Sequence, residues 1–288
     1  MLRRQREGSI VCPHCGRLVG VRDEVCLGCG TRNPSLWGFA ASLRRLGDDL
    51  GFVKLLMVGC GALYLASLLM SPGALSPRGG LLSILSPDRA SLFVLGSSGA
   101  IPVFGYGRWW TVLSAAWLHG SLLHIFFNLM WVRNLAPAVA RLYGAGRMIL
   151  IWTAGSVVGF LASSAAGFFL AGLPRPLVGA GFTVGASASI FGLLGALIEY
   201  GHRTGQSEMR RVVWGWVVAG GIFGLVVPGI DNWAHAGGFA GGFLAARLLE
   251  PLRGERPGHV AAALVCLAAS AGAIVLSVVT GLAILKGG

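Results

Sequence analysis

The chain has 288 residues, of which 55% are hydrophobic and only 12% are charged, and it contains 46 glycines. Together with a mean hydropathy of +0.72, this composition excludes a soluble globular domain of this size and predicts an integral membrane protein surrounded by a lipid bilayer. The formal net charge of +12 does not indicate a nucleic-acid partner, because the arginines are spread over many loops and are not gathered in one patch.

The first predicted element is a small zinc-ribbon domain over residues 1–34. Two CxxC pairs separated by ten residues would let four thiolates converge on one ion in a tetrahedron. We expect structural zinc here, because the inferred cytoplasmic side keeps thiols reduced and disfavours disulfides. No ligand position stays open for a catalytic water, so we expect the ribbon to contact an unknown cytoplasmic partner or to regulate the protein. The expected zinc ligands are Cys12, Cys15, Cys26 and Cys29.

Seven membrane spans follow, since seven apolar runs approach the roughly 20 residues that a helix needs to cross a bilayer. Residues 35–51 are predicted as a juxtamembrane linker, 52–250 as a six-span core, and 251–288 as a seventh span and tail. The fourth run is short, and the apolar, Gly-rich stretch before it is expected to enter the membrane as a sheltered loop. The predicted spans are Phe52–Met70, Leu122–Ala140, Met148–Leu170, Ala186–Tyr200, Val212–Val227, Trp233–Leu249 and Val260–Leu285.

The distribution of basic residues predicts the topology. If the N-terminus is cytoplasmic, five of the 23 Lys and Arg residues lie on the outer side and the other 18 lie inside. This positive-inside bias predicts a cytoplasmic N-terminus, and we expect the plasma membrane of a bacterium. The first outer loop, Ser71 to Arg108, is partly apolar and is expected to dip into the outer leaflet. The five outer residues are Arg78, Arg89, Arg108, Arg175 and Lys286.

A serine and a histidine lie inside two of the apolar runs, where hydrocarbon offers no hydrogen-bonding partner. Ser187 lies at the start of the fourth predicted span and His235 at the start of the sixth. Both spans enter from the outer side, so the two residues are expected at one depth, in a site that opens outward. Small residues would let the two helices approach closely enough for a Ser–His hydrogen bond. They are Ala188, Gly192, Gly195 and Ala196 in the fourth span and Gly237, Gly238, Gly241 and Gly242 in the sixth.

The second span contributes an imidazole and an amide, His124 and Asn128, which share a helix face because they are one turn apart. With the backbone N–H of Ser187, they provide what an oxyanion hole requires. A single serine in a membrane helix usually bonds its own backbone, and a single histidine usually packs against a neighbouring helix. Four such residues in register disfavour that simpler interpretation. Asp231, at the start of the sixth span, is better interpreted as a helix N-cap than as a catalytic carboxylate.

Three short motifs carry a resemblance to a known family: His124-Ile-Phe-Phe-Asn128, Gly185-Ala186-Ser187-Ala188 and Ala234-His235-Ala236-Gly237-Gly238. In order, spacing and assignment to the second, fourth and sixth spans, they resemble the H-x-x-x-N, G-x-S-G and A-H-x-x-G motifs of the rhomboid intramembrane serine proteases. The resemblance covers about Gly51 to Leu249. It implies an all-α polytopic membrane protein with a rhomboid-like six-helix bundle, to which this chain adds one C-terminal transmembrane helix and the zinc ribbon.

The resemblance also implies proteolysis by a Ser-His dyad without an aspartate and without a catalytic cofactor. Ser187 would be the nucleophile and His235 the general base and then acid, while Asn128, His124 and the Ser187 amide would stabilise the oxyanion. The implied substrates are transmembrane proteins, cleaved in or near their membrane-spanning segments. They would reach the dyad laterally from the lipid, with the fifth span acting as a gate.

The sequence next to the candidate nucleophile departs from the family pattern. Ala188 stands where the family has a glycine, and Ser189 follows it, so Ser189 is an alternative nucleophile. We favour Ser187, because it alone follows Gly185-Ala186 in the motif register and because Ser189 points nearly opposite it on a helix.

Two further departures concern the scaffold. The Trp-Arg pair of the family's first outer loop appears as Trp110-Thr111, and the acidic residue often found after the second span is Ala140. In the family these positions support the scaffold, so we expect the differences to affect the loop conformation or the stability and not the dyad.

Two other classes of function stay open. A catalytically weak or silent rhomboid-like protein could bind transmembrane segments in membrane-protein quality control, although such proteins usually lack the serine or the histidine. A zinc-regulated transporter would be expected to show charged or broken-helix sites along a pathway, or repeated halves, and the sequence indicates neither.

Overall fold

The computed structural model describes residues 4–12, 15–40, 47–72, 85–174 and 177–287. Residues 41–46 of the predicted linker and residues 73–84 of the first outer loop lie outside the described part. So do five of the arginines used for the topology, Arg3, Arg44, Arg45, Arg78 and Arg175.

The N-terminal domain is built on a two-stranded antiparallel sheet. β1 (Ser9–Val11) pairs with β2 (Leu18–Gly20), so that Ile10 lies opposite Val19. Both of these side chains are buried against two of the cysteines in a small cluster. So small a core rarely stabilises a domain alone, and a metal ion held by the neighbouring cysteines would add folding free energy. The four-cysteine cluster fits the predicted zinc ribbon.

The rest of the described chain is mostly helical, and seven long helices lie where the seven spans are predicted. Their ends differ from the prediction by up to five residues, because polar turns extend a helix beyond its apolar run; the fifth begins at Ser207 instead of Val212. The described α-helices are α1 (Phe52–Leu69), α2 (Arg89–Leu95), α3 (Thr111–Ser114), α4 (Leu122–Tyr143), α5 (Ala145–Phe169), α6 (Ser187–Thr204), α7 (Ser207–Val226), α8 (Asn232–Leu248) and α9 (Pro257–Gly287). A π-helical turn spans Ile101–Gly105, and a 3-10 turn spans Ala115–Trp117.

Five of the long helices, α1, α4, α5, α7 and α9, are long and apolar enough to cross a membrane by length and composition. Of the other two, α8 has 17 residues, and α6 is as long as α1 but ends in a polar turn that contains His202 and Arg203; α6 buries 13 of its 18 residues inside the protein. A helix enclosed by other helices does not need the continuous apolar surface of one that faces lipid. The chain is therefore a helical membrane protein, and the count of seven crossings stays a prediction.

Glycines bring α5, α6 and α8 into backbone contact. A Cβ atom built on Gly242 of α8 would lie only 2.2 Å from Cα of Gly192 in α6. One built on Gly155 of α5 would lie 3.1 Å from that same Cα. The close approach expected between the fourth and sixth spans is confirmed, and it places α6 at the centre of the bundle.

The first outer loop packs against the stretch that leads into α6. Ser98 and Thr183 exchange two backbone hydrogen bonds, of 3.0 and 2.8 Å, and the Ala100 N–H donates to the Ala180 carbonyl at 2.9 Å. The apolar, Gly-rich stretch before the fourth helix is therefore non-helical, as expected, and its backbone polar groups bond the loop instead of its own neighbours.

The two scaffold departures have clear local structures. Thr111 is fully buried, and its hydroxyl donates to the Arg108 carbonyl at 2.8 Å. Arg108 itself is 1% exposed, so the loop has a buried guanidinium three residues before the position that the family motif indicates. Ala140 is buried in the apolar core and leaves no charge there to be neutralised.

Candidate active site

Ser187 is the first residue of α6 and is only partly buried. Two residues earlier, Gly185 has a backbone φ of 132°, which residues other than glycine rarely adopt. A Cβ on Gly185 would lie 2.6 Å from Nε2 of His124 and 3.7 Å from Oγ of Ser187. Glycine at this position therefore lets the chain enter the helix with the serine beside an imidazole, at the end where helix N–H groups are unpaired.

Ser189, the alternative nucleophile, lies in a different environment. It is fully buried, and among the described residues its Oγ has no hydrogen-bonding partner. Its Cα would be 3.2 Å from a Cβ on Gly155, so it packs against α5. The geometry favours Ser187, whose hydroxyl is the more accessible of the two.

His235 lies in the first turn of α8 and is 9% exposed. Its ring stacks on that of Phe191, with 4.2 Å between centroids and 12° between planes. Nδ1 is buried and has no hydrogen-bonding partner within the described part of the chain, so no carboxylate orients the ring there. Stacking on α6 therefore fixes the imidazole plane, the task that a carboxylate performs in a catalytic triad.

The helices that carry Ser187 and His235 touch at the level of these residues. A Cβ on Gly238, three residues after His235, would lie 2.1 Å from the carbonyl oxygen of Ala188. The structure thus brings together the starts of α6 and α8. Between Ser187 and His235, both described, no hydrogen bond is formed in this conformation.

His124 lies in the first turn of α4, whose N-cap is Ser121. Its Nδ1 accepts a hydrogen bond from the Gly120 N–H at 3.3 Å. A neutral imidazole that accepts at Nδ1 carries its proton at Nε2, the atom next to Gly185. His124 therefore presents a donor toward the space in front of Ser187.

Asn128 follows His124 by one turn and is 5% exposed. One amide hydrogen is donated to the His124 carbonyl at 2.8 Å, which holds the side chain along its own helix. A primary amide has two hydrogens, so the second is still available for another acceptor. The structure places Asn128 on the expected helix face, farther along α4 than the imidazole.

Sequence reasoning missed Phe191 and gave Asp231 only part of its role. Phe191 follows Ser187 by one helical turn, a spacing that could have indicated a ring beside the site. Asp231 is an N-cap, as predicted: one carboxylate oxygen accepts from the Ala234 N–H at 3.0 Å. The other accepts from the hydroxyl of Ser163 in α5 and so ties the start of α8 to a neighbouring helix.

His119 is fully buried and packs edge-on against His124, with ring centroids 5.1 Å apart. The contact limits rotation of the His124 ring, which agrees with an orienting function and not with direct action at Ser187.

The ribbon contains the only four-cysteine cluster in the described residues, and its four Sγ atoms lie within 4.8 Å of one another. The Cys12–Cys29 and Cys15–Cys26 Sγ separations are 3.8 and 3.6 Å. Tetrahedral thiolates about 2.3 Å from one ion would be separated by roughly 3.8 Å, so the cluster could hold a metal ion. The Thr31 hydroxyl, 3.1 Å from Cys29 Sγ, and then the Thr31 backbone lower the pKa of Cys29 to about 6, which favours the thiolate.

Comparisons with known proteins match the helical part of the chain to one family. The Rhomboid domain family matches residues 106–251, from the first outer loop to the end of α8. Rhomboid protease GluP of Bacillus subtilis is 36% identical over 146 residues, which are 50% of this chain and 26% of that protein. RHOMBOID-like protein 4 of Arabidopsis thaliana is 29% identical over 170 residues, 58% of this chain and 40% of the relative.

Rhomboid protease GlpG of Klebsiella pneumoniae is 31% identical over 155 residues, which are 51% of this chain and 50% of the relative. The chain thus spans a quarter to a half of the length of these relatives. The family match covers half of the chain and includes the helices that carry His124, Ser187 and His235. This chain therefore belongs to the rhomboid family.

Proposed function

We propose that this protein is an intramembrane serine protease that cleaves transmembrane proteins in or near their membrane-spanning segments. The observation that carries the proposal is the meeting of three helix starts: Ser187 on α6, the stacked His235 on α8, and the Nε2–H of His124 on α4. A nucleophile, a base and an oxyanion donor within one buried, partly open site are the parts that acyl transfer requires.

In the proposed mechanism, Nε2 of His235 takes the proton from Ser187 Oγ while Oγ bonds to the scissile carbonyl carbon. The resulting oxyanion accepts hydrogen bonds from the Ser187 N–H, the His124 Nε2–H and the free Asn128 amide hydrogen. Protonated His235 then gives its proton to the leaving amine as the C–N bond breaks. Water, activated by His235, adds to the acyl-enzyme and releases the acid, which restores Ser187.

We further propose that substrate enters past α7. Of the 20 residues of this helix, only Val213 and Gly224 are buried, so α7 is the least enclosed of the long helices. At Gly220 it approaches the ring that stacks on His235, since a Cβ there would lie 2.7 Å from Phe191. A weakly held helix at the edge of the site can move aside for an extended peptide at low cost.

The ribbon is proposed to bind one structural Zn²⁺, because four thiolates leave no open ligand position. The proposed location is a bacterial plasma membrane, with the ribbon in the cytoplasm and the active site open to the outer side, on the strength of the loop charges. The ribbon is also proposed to contact a cytoplasmic partner.

The proposal is tested with purified protein, a single-span test substrate and a fluorophosphonate probe. Wild type is expected to cleave the substrate and to be labelled at Ser187, whereas the Ser187→Ala and His235→Ala variants do neither. Ser189→Ala is the matched control and should keep both activities. Asn128→Ala should lower kcat on the order of a hundredfold, the usual cost of one oxyanion donor.

The opposite pattern, with Ser187→Ala active and Ser189→Ala inactive, would assign the nucleophile to Ser189. A wild-type protein that binds the test substrate but neither cleaves it nor reacts with the probe would be the silent binder.

A further inference from the structure

Helix α9 is the last of the long helices and lies beyond the residues that the rhomboid family matches. It contacts the first outer loop through Ser277. The Ser277 carbonyl accepts from the Arg108 guanidinium at 2.8 Å, and its hydroxyl accepts from the Trp110 indole N–H at 3.0 Å. One turn farther along α9, a Cβ on Gly281 would lie 2.8 Å from Cα of Val94. Helix α9 therefore touches the loop through two hydrogen bonds and one backbone contact without a side chain between.

Arg108 joins this helix to two parts of the loop. Its other terminal nitrogen donates to the Phe93 carbonyl at 2.8 Å, and the guanidinium lies 4.2 Å from the centre of the Phe93 ring. A buried charge needs such partners, since a guanidinium that loses them is costly. The loop and α9 therefore depend on each other to keep Arg108 buried.

A third contact between α9 and the loop lies at Gly96. A Cβ on this glycine would lie 2.4 Å from Oγ of Ser114 and 2.7 Å from Oγ of Ser277. Ser114, at the end of α3, donates its hydroxyl to the Gly96 carbonyl at 2.7 Å. At Gly96 the loop backbone thus lies between α3 on one side and α9 on the other.

The same loop is also bonded to the segment that precedes the candidate nucleophile. The Ser98–Thr183 pair of backbone hydrogen bonds joins it to the segment before α6, and the Gly185 N–H donates to the Ala115 carbonyl at 2.9 Å. Ser187 follows Gly185 by two residues. A shift of the loop would therefore move Gly185 relative to His124, where a single added methyl group would already collide.

We propose that α9 is a positioning element of the active site: Ser277 and Gly281 hold the first outer loop, and the loop holds the segment that sets Ser187 against its oxyanion donors. For its catalytic consequence this inference rests on the proposed protease function. A positioning role predicts a fall in kcat with KM unchanged, because substrate binding along α7 does not involve α9.

The test compares one methyl group at two glycines of the same helix in the full-length protein. Gly281→Ala places a Cβ 2.8 Å from Val94, about 0.6 Å closer than the 3.4 Å at which ordinary contacts begin, so the helix or the loop has to shift. Gly272→Ala is the matched control, because a Cβ there meets nothing within 4 Å and the gain in helix propensity is the same. We expect kcat to fall about tenfold in Gly281→Ala and to stay within twofold of wild type in Gly272→Ala.

A second pair of variants removes the hydroxyl and restores it. Ser277→Ala should lower kcat, and Ser277→Thr, which keeps an oxygen for the Trp110 indole, should recover most of the loss. The control is Ser270→Ala, since Ser270 only bonds the Cys266 carbonyl within α9. This series keeps the inference open to test if Gly281→Ala does not fold.

Hydrogen–deuterium exchange gives a readout that does not depend on activity. The Thr183 amide donates to Ser98 of the loop and the Gly185 amide donates to Ala115, just after α3, so their exchange reports directly on these bonds. Exchange should become faster in Gly281→Ala and Ser277→Ala but not in Gly272→Ala or Ser270→Ala. Equal exchange in each variant and its control would overturn the inference, whatever the activity. An inactive wild type would remove the protease proposal, while the exchange data would still decide whether α9 holds this segment.

Discussion

The contact between Gly242 and Gly192 gives the most direct test of how the candidate dyad is built. Gly242→Ala adds one methyl group, whose carbon would lie 2.2 Å from Cα and from the carbonyl oxygen of Gly192. Ordinary contacts begin at 3.4 Å, so α6 and α8 would have to separate by about 1.2 Å, the difference between the two distances. Helices move as stiff rods, and most of this separation should reach Ser187 and His235.

A misplacement of about 1 Å can cost on the order of a hundredfold in rate, so kcat should fall by at least that factor. Overpacking should also cost about 1–3 kcal/mol of stability. Cleavage of the single-span test substrate is measured on the monodisperse fraction, beside thermal unfolding. Gly61→Ala in α1 is the control, because a Cβ there meets nothing within 4 Å. A folded Gly242→Ala variant that cleaves within threefold of the control would refute the argument that backbone contact sets the dyad.

Three further outcomes follow from the site and the ribbon. Asp231→Ala should lower the free energy of unfolding by about 1 kcal/mol, because the α8 cap is lost, whereas Asp231→Asn should keep most of the cap's stabilisation. Equal melting temperatures of wild type and Asp231→Ala would contradict the cap. Gly220→Ala should press on Phe191 and lower kcat about tenfold, and Gly221→Ala, which has open space around it, should not; equal rates would separate the ring from the catalytic geometry. Chelation should release one zinc ion per chain and abolish the protection of ribbon amides from hydrogen exchange. Probe labelling at Ser187 should not change; a parallel loss of labelling would show that the ribbon supports the core.

The positions of the long helices could be predicted because membrane helices need long apolar runs, and these are visible without any tertiary information. The ribbon could also be predicted, since ligand spacing alone indicates a four-thiolate site. The N-cap at Asp231 followed from residue type and place. In each case the signal is local in the sequence.

The features that could not be predicted depend on contacts between distant segments. Nothing near Ser98 indicates that it pairs with Thr183, and nothing near Arg108 indicates that its guanidinium is buried between Phe93 and α9. The family motif has an arginine at the position of Thr111, whereas the buried guanidinium of this fold belongs to Arg108, three residues earlier. Helix ends were also less certain where polar residues continue the helix, as at Ser207.

The difference in length between the enclosed helices and their neighbours has a consequence for water. At 1.5 Å per residue, the 25 residues of α5 extend roughly 37 Å, but the 18 of α6 extend only about 27 Å. The non-helical stretch before α6 fills this difference, since a Cβ on Gly179 would lie 2.4 Å from the backbone nitrogen of Gly167, near the end of α5. Ser187 is therefore bordered by irregular backbone, whose polar groups can hydrogen-bond water as well as the first outer loop. We expect the water that hydrolysis consumes to enter at this end of the bundle, because a regular helix satisfies its own backbone polar groups and offers water no such partners.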